Sequence, residues 1–349
     1  MVNYAGGLSS QLMVAAESTV GTAVTVTTGY EMLGGETVSF LPTFLDGQGL
    51  KSGVGYKRGS RTALSRVSAG GDIPMEFGDR GHHGLLLKHA IGSTITTPTL
   101  IATTAYKQIH TPGAKTGLGL TVQLGQPETS DQVAKPFTYN GMKITDWEFS
   151  CNDNQIAQMK WTFDGWNETT ATGLAAVSYT SGVIPFSFAD ATTFTIGGTA
   201  STSAGETTVA GATAVTSIVK GVTITCSTPM AVDRYGLGNA GVKKEQFENA
   251  IPTLTGKFDA EFTNLTDFYN TFKANTTTTV QLDFSHGDAG SSNPFRLSFI
   301  MPAVRFKNAA VNVPGPDLLT QSVEWEAYDD GSGTNPVFQV KLVSTDSTL

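Results

Sequence analysis

Apolar and polar residues alternate with a period of two through much of the chain. In FTYNGMKITDWEFSC (137–151), Thr145, Trp147, Phe149 and Cys151 fall on one face, opposite Ile144, Asp146, Glu148 and Ser150. In IAQMKWTFDGW (156–166), Ala157, Met159, Trp161 and Phe163 oppose Gln158, Lys160, Thr162 and Asp164. This spacing predicts two strands with one buried face each, and Asn152-Asp153-Asn154 between them is a hairpin turn signal. Further apolar stretches at 36–45, 118–124, 217–228, 279–284, 294–306, 318–330 and 337–343 predict more strands. Thr-, Ser- and Gly-rich segments separate them.

One pattern occurs twice. GDIPMEFGDRGHHGLLLK (71–88) and GKFDAEFTNLTDFYNTFK (256–273) align without a gap, pairing Gly71 with Gly256, Glu76 with Glu261, Phe77 with Phe262 and Lys88 with Lys273. Each copy opens with strand alternation (Ile73, Met75, Phe77; Phe258, Ala260, Phe262) and then changes to helical spacing (Leu86, Leu87, Ala90, Ile91; Leu265, Phe268, Tyr269, Phe272). Trp325 in SVEWEAY falls where Trp161 falls in QMKWTFDG. The expected fold is mainly β: two tandem sandwich or barrel domains related by internal duplication, each with one short α-helix. The expected division is an N-terminal arm over 1–35, a first domain over 36–170, a linker with an added β hairpin over 171–214, and a second domain over 215–349. Within the linker, VIPFSF and TFTIGG read as strands. The arm, with its small amphipathic piece at 11–17, reads as an element outside its own core, either packed on a neighbour or disordered as termini often are.

Residues 46–69 read as a long loop, and a loop of this length inside a β domain is usually functional or disordered. It carries Lys51, Lys57, Arg58, Arg61 and Arg66 and no acid after Asp46. It does not match the phosphate-binding GxxxxGK[ST] pattern. The reading is a docking loop that meets an acidic face on another subunit. A second long loop, 229–249, is mixed in charge.

Only 15% of residues are charged, against about 25% in a typical soluble protein, so the surface is expected to rely on Thr, Ser, Asn and Gly or to be largely covered by neighbours. A net charge of −8 argues against gripping nucleic acid, which needs a basic footprint. No basic segment followed by an apolar run opens the chain, and no apolar stretch approaches the ~20 residues of a membrane helix. The expectation is a soluble protein made in a reducing cytoplasm. Cys151 and Cys226 each continue an apolar strand face and read as buried free thiols; one inter-domain disulfide is the alternative.

Catalytic signals are weak. His82, His83 and His89 lie close together, but Cys, Asp or Glu at ligand spacing are missing. Their partners in the second copy are Asp267, Phe268 and Ala274, so the repeated unit does not need them. Ser285-His286-Gly287-Asp288 holds triad residue types, yet triads assemble from separate elements, and the run reads as a turn. GxSxG, HExxH and CxxC are all absent. The expectation is no enzyme, metal or cofactor. Asn167, Asn264 and Asn275 open sequons that matter only in a secretory pathway. More informative are acids recurring on the polar strand faces: Asp146 and Glu148, Asp259 and Glu261, Glu324 and Glu326. They read either as ordinary solvated surface or as the lining of a channel through which a polyanion slides.

The order of these features resembles the tail tube (major tail) proteins of long-tailed bacteriophages. The resemblance rests on GGLSSQLMVAAESTVGTAV, ETVSFLP, GGDIPMEF…GLLLKHAIGS, FTYNGMKITDWEFSC with IAQMKWTFDGW, and VIPFSFADATTFTIGG, and spans nearly the whole chain. It implies two packed sheets with a short helix per domain. It also implies rings that stack into a hollow tube, trimeric for a duplicated chain, with an acidic lumen that carries DNA during ejection. It implies a virion protein made in the host bacterial cytoplasm. Its partners would be itself, the tape measure protein, the tail terminator and baseplate or distal tail proteins, with DNA passing unbound. The arm and the 46–69 loop would meet the adjacent ring. The competing class is a β-rich adhesin or capsid decoration module, which would need an exposed aromatic cluster or a sugar- or calcium-binding loop.

Overall fold

The alternating stretches fold as strands. The computed structural model describes residues 6–311, 313 and 315–349, and is mainly β, with 51% strand and 7% helix. The strands before the linker are β1 (Gln11–Ala16), β2 (Thr28–Tyr30), β3 (Ser39–Asp46), β4 (Thr62–Glu76), β5 (Gly92–Leu100), β6 (Tyr106–Pro112), β7 (Leu120–Pro127), β8 (Ala134–Asn152), β9 (Gln158–Gly165) and β10 (Asn167–Thr169). Then come β11 (Ala191–Ile196), β12 (Thr199–Ser203), β13 (Glu206–Ala210), β14 (Thr213–Ala214), β15 (Val219–Ser227), β16 (Thr253–Glu261), β17 (Thr277–Gly290), β18 (Asn293–Asn308), β19 (Thr320–Ala327) and β20 (Gln339–Ser344). Helix α1 (His83–Ile91) follows β4, and α2 (Tyr269–Ala274) follows β16.

A central antiparallel sheet runs through both halves in the order β3·β4·β9·β8·β15·β16·β19·β18. Two strands are long enough to leave it. The first part of β8 pairs with β7 and β10, and its last part pairs with β9 and β15. The first part of β18 likewise pairs with β17 and β20, and its end pairs with β19. The order β3·β4·β9·β8·β7 in the first half therefore returns as β15·β16·β19·β18·β17 in the second. The halves are joined by β8 with β15, and by β6 with β20.

Between the sheets lies one apolar cluster that includes Trp147, Phe149, Trp161, Phe258, Phe299 and Trp325. Phe149 of the first half meets Phe284 and Phe299 of the second with ring centroids 5.3 and 4.8 Å apart. The repeated glycines have a steric cause. A Cβ on Gly71 (φ +147°) would sit 2.4 Å from the Thr37 carbonyl oxygen, and one on Gly256 would sit 2.2 Å from that of Thr223.

Several expectations are corrected. The stretch at 11–17 is not a free arm: β1 lies between β2 and β7, with Leu12, Met13 and Val14 buried. Both of its faces are covered, so the period-two signal of a half-buried strand is missing. A bulge between Ile144 and Asp146 breaks the alternation of β8 and buries Ile144 along with Trp147. The irregular part of the first long loop is 47–61, because β3 and β4 stay paired out to Asp46 and Thr62. VIPFSF contributes isolated bridges, Pro185 to Gly78 and Ser187 to Ile156, rather than a strand. The linker hairpin is β12 with β13.

The histidines are part of the packing. His83 Nε2 accepts the Gly78 N–H at 3.1 Å, and its ring stacks on Phe77 with centroids 4.5 Å apart. His89 Nδ1 lies 2.9 Å from the Leu85 carbonyl oxygen. His82, with φ 59°, turns the chain into α1, and its N–H is bound by the Asp346 carboxylate at 2.9 Å. Cys151 and Cys226 are free and buried, and burial pushes both thiols up to about 11.

Candidate assembly surfaces

The polar face of the central sheet collects the recurring acids. Directly opposed residues on neighbouring strands point to the same side. One row of opposed residues runs Lys160, Glu148, Thr225, Thr255, Glu326. The next runs Gln158, Ser150, Thr223, Lys257, Glu324. Asp146 lies opposite Ser227, Asp259 opposite Ser322 and Glu261 opposite Thr320. Asp146, Glu148, Asp259, Glu261, Glu324 and Glu326 thus share one face, and the buried tryptophans and phenylalanines occupy the other.

That face is less negative than its acids suggest. Lys257 pairs with Asp259 at 3.0 Å, Lys220 with Glu261 at 2.7 Å and Lys307 with Glu326 at 2.9 Å. Hydrogen bonds from the Tyr328 hydroxyl and from Lys307 hold the Glu326 carboxyl below its ordinary range. Among the described residues, Asp146, Glu148 and Glu324 have no ion-pair partner within 4.0 Å.

The basic residues divide. Lys51, Lys57, Arg58 and Arg61 stand on the tip of the β3–β4 hairpin. Lys57 reaches Asp46 at 2.9 Å across an exposed surface, and Arg58 Nη2 donates to the Gly49 carbonyl at 3.1 Å. Such exposed pairs add little stability. Arg66 does not belong to this group: it lies within β4, with its guanidinium 4.6 Å from the ring centroid of Tyr235. The hairpin is also strongly apolar on the outside. Leu41, Phe44, Leu45 and Leu64 are 51–59% exposed, and Leu50 and Tyr56 are almost entirely exposed. A hairpin that leaves this much apolar surface in water marks an interaction site.

The second long loop behaves differently. It folds back on the first half and is pinned there by buried polar groups. Lys243 Nζ donates to both carboxylate oxygens of Asp164 at 2.6 and 2.7 Å. Gln246 Nε2 donates to Asp164 Oδ2 at 2.7 Å and to the Asp164 carbonyl at 3.0 Å. Glu245 accepts from Lys143 Nζ at 2.7 Å and from the Gly117 N–H at 2.6 Å. Lys143 also donates to the carbonyls of Lys115 and Gln246. Tyr235 donates its hydroxyl to the Val67 carbonyl at 3.2 Å. Burial pushes the Lys115 ammonium down to about 8. These lysines are hard to single out in the sequence, because their side-chain partners lie 79 and more residues away. The available hint was Lys143 itself, a charge set between Met142 and Ile144.

Among the described residues no group of three or more His, Cys, Asp or Glu is placed to hold a metal ion. No helix there is long and apolar enough to cross a membrane. A family model described as phage tail tube protein matches residues 7–327. The chain belongs to the phage tail tube protein family. Membership makes it a structural component of the phage tail, placed in the virion, in a family whose members assemble with themselves and with other tail parts. No curated protein matches the chain.

Proposed function

We propose that this tail tube protein polymerises as stacked rings into the hollow tube that conducts genome DNA into the host. One observation carries the reading: a single antiparallel sheet passes unbroken through both halves, polar on one face, and among the described residues its free edges are the outer side of β3 and the end of β18 beyond Arg305. Unpaired edges invite further strands. A contact between two different edges of identical copies is head-to-tail, and it closes a ring when the rotation allows. The pairing order that recurs in the two halves supports duplicated units, so that three copies supply six related units around an axis. Asp146, Glu148, Asp259, Glu261, Glu324 and Glu326 would then line the lumen, where like charge keeps DNA from sticking. Lys51, Lys57, Arg58 and Arg61 would dock on a neighbouring copy. The tape measure, terminator and baseplate or distal tail proteins would meet the tube, and synthesis would take place in the host cytoplasm.

Electron microscopy of concentrated protein, alone and seeded with tail-tip complexes, tests the reading. Rings of fixed copy number and hollow tubes with a regular axial repeat are expected. A chain that stays monomeric under both conditions overturns it.

A further inference from the structure

The internal joint between the two halves, β8 with β15, has a counterpart position at each outer edge of the sheet. In the first half Leu41 opposes Ser68, and in the second half Ser227 opposes Thr253. The clash positions of Gly71 with Thr37 and of Gly256 with Thr223 put these pairs in correspondence. The connections 42–67 and 228–252 are therefore counterparts. The second lies across the joint of β15 with β8 and closes over Asp164. The first is held only at its base, where Arg66 and Val67 meet Tyr235, and leaves Phe44, Leu45, Leu50, Tyr56 and Leu64 in solvent.

The receiving side is incomplete in the same way. Trp147 opposes Trp161, and Phe306 opposes Trp325, so β8 and β18 correspond. β8 continues to Asn152 with β15 alongside, whereas β18 ends at Asn308. Among the described residues, no strand covers its outer edge beyond Arg305. Asp164 stands three places after Trp161, and Tyr328-Asp329-Asp330 begins three places after Trp325. Asp329 and Asp330 are exposed, and their carboxylates accept only from their own turn, at Gly331, Ser332 and Asn335. No cation of the same chain pairs with them among the described residues.

We propose that the β3–β4 hairpin clasps the next copy in the same ring. β3 adds to the outer edge of β18, and the basic tip closes over Asp329 and Asp330 as the second loop closes over Asp164. The inference rests on the ring reading above and adds its direction: the basic loop works within a ring, not between rings. The four cations of the tip meet the acids of the neighbour's second half, and the exposed leucines and Phe44 are covered.

Cysteine cross-linking in the full-length chain tests this. Lys307→Cys is combined in turn with Ser39→Cys and Thr37→Cys, the residues that registers two apart bring opposite it, and the assembled protein is oxidised. The expected product on a denaturing gel is one closed oligomer of the ring's copy number and nothing larger. A ladder extending past the ring size, or tubes that form normally without any cross-link, overturns the clasp while leaving the tube intact. Absence of tubes in the unmodified protein counts against the ring reading instead. In a second arm, Lys57→Glu with Arg58→Glu raises the concentration at which assembly begins by about tenfold or more, and Asp329→Lys with Asp330→Lys restores it. Failure of the second pair to restore assembly overturns the pairing of these groups.

Discussion

At the scale of single residues, crowding and buried charge explain positions that look unremarkable as letters. Gly71 and Gly256 are kept free of a side chain by the carbonyls of Thr37 and Thr223. Gly71→Ala adds a strained positive φ to the clash, so both substitutions should destabilise the fold by about 1–3 kcal/mol, with Gly71→Ala the worse. Urea midpoints that match the unmodified chain would refute this. Lys243 is 1% exposed in its pair with Asp164, which keeps some contact with water. Removing one member of a buried pair costs about 3–5 kcal/mol, and the partial exposure of Asp164 places Lys243→Ala near the low end. Lys243→Met with Asp164→Asn should recover most of the loss, because no unpaired charge remains. Equal denaturant midpoints for the single and double variants would mean that packing, not charge, holds the loop.

At the scale of elements, a helix is held by groups that must stay neutral. Burial pushes His83 and His89 on α1 down to about 4, and His110 on β6 down to about 3. An unfolded histidine titrates near 6.5. Between about pH 6.5 and 4 the unfolded chain therefore binds protons that the folded chain does not, and stability falls as pH falls. It is fully present above 6.5. The melting temperature should drop between about pH 6.5 and 5, where ordinary carboxylates stay ionised, and His83→Gln with His89→Gln should flatten that slope. A flat profile in the unmodified protein would contradict the assignment. Sequence alternation located β9, β15, β16, β19 and the second part of β8 because each has one wet face, and apolar runs located β17, β18 and β20. It missed β1, which is buried on both faces, and it skipped the β5–β6 hairpin, whose Thr-rich run (Ser93–Thr99) offers no apolar stripe. The anchoring of the second loop was illegible for a different reason. Lys143, Lys243 and Asp164 look like surface charges until folding brings distant segments together.

At the scale of the whole molecule, the proposed lumen and the ion pairs on its face set a charge balance that can be inverted. Asp259, Glu261 and Glu326 are neutralised within the chain, so the repulsion offered to DNA comes mainly from Asp146, Glu148 and Glu324. Asp146 stands opposite Ser227, Glu148 opposite Thr225 and Lys160, and Glu324 opposite Asn308 and Lys257, and none of the three is part of the core. Replacing them with lysine should therefore leave ring closure and tube length unchanged in micrographs. The consequence should appear in contact with DNA instead. Each lysine facing the lumen is a phosphate contact, and every ring repeats the set. The variant tube should hold duplex DNA at about 50 mM salt and release it at about 200 mM, with the steep dependence that counterion release imposes. The unmodified tube should hold none at either concentration. Phage carrying the variant should form tails of normal appearance and eject their genome slowly. Normal ejection by tails of normal appearance would place this face of the sheet somewhere other than the channel.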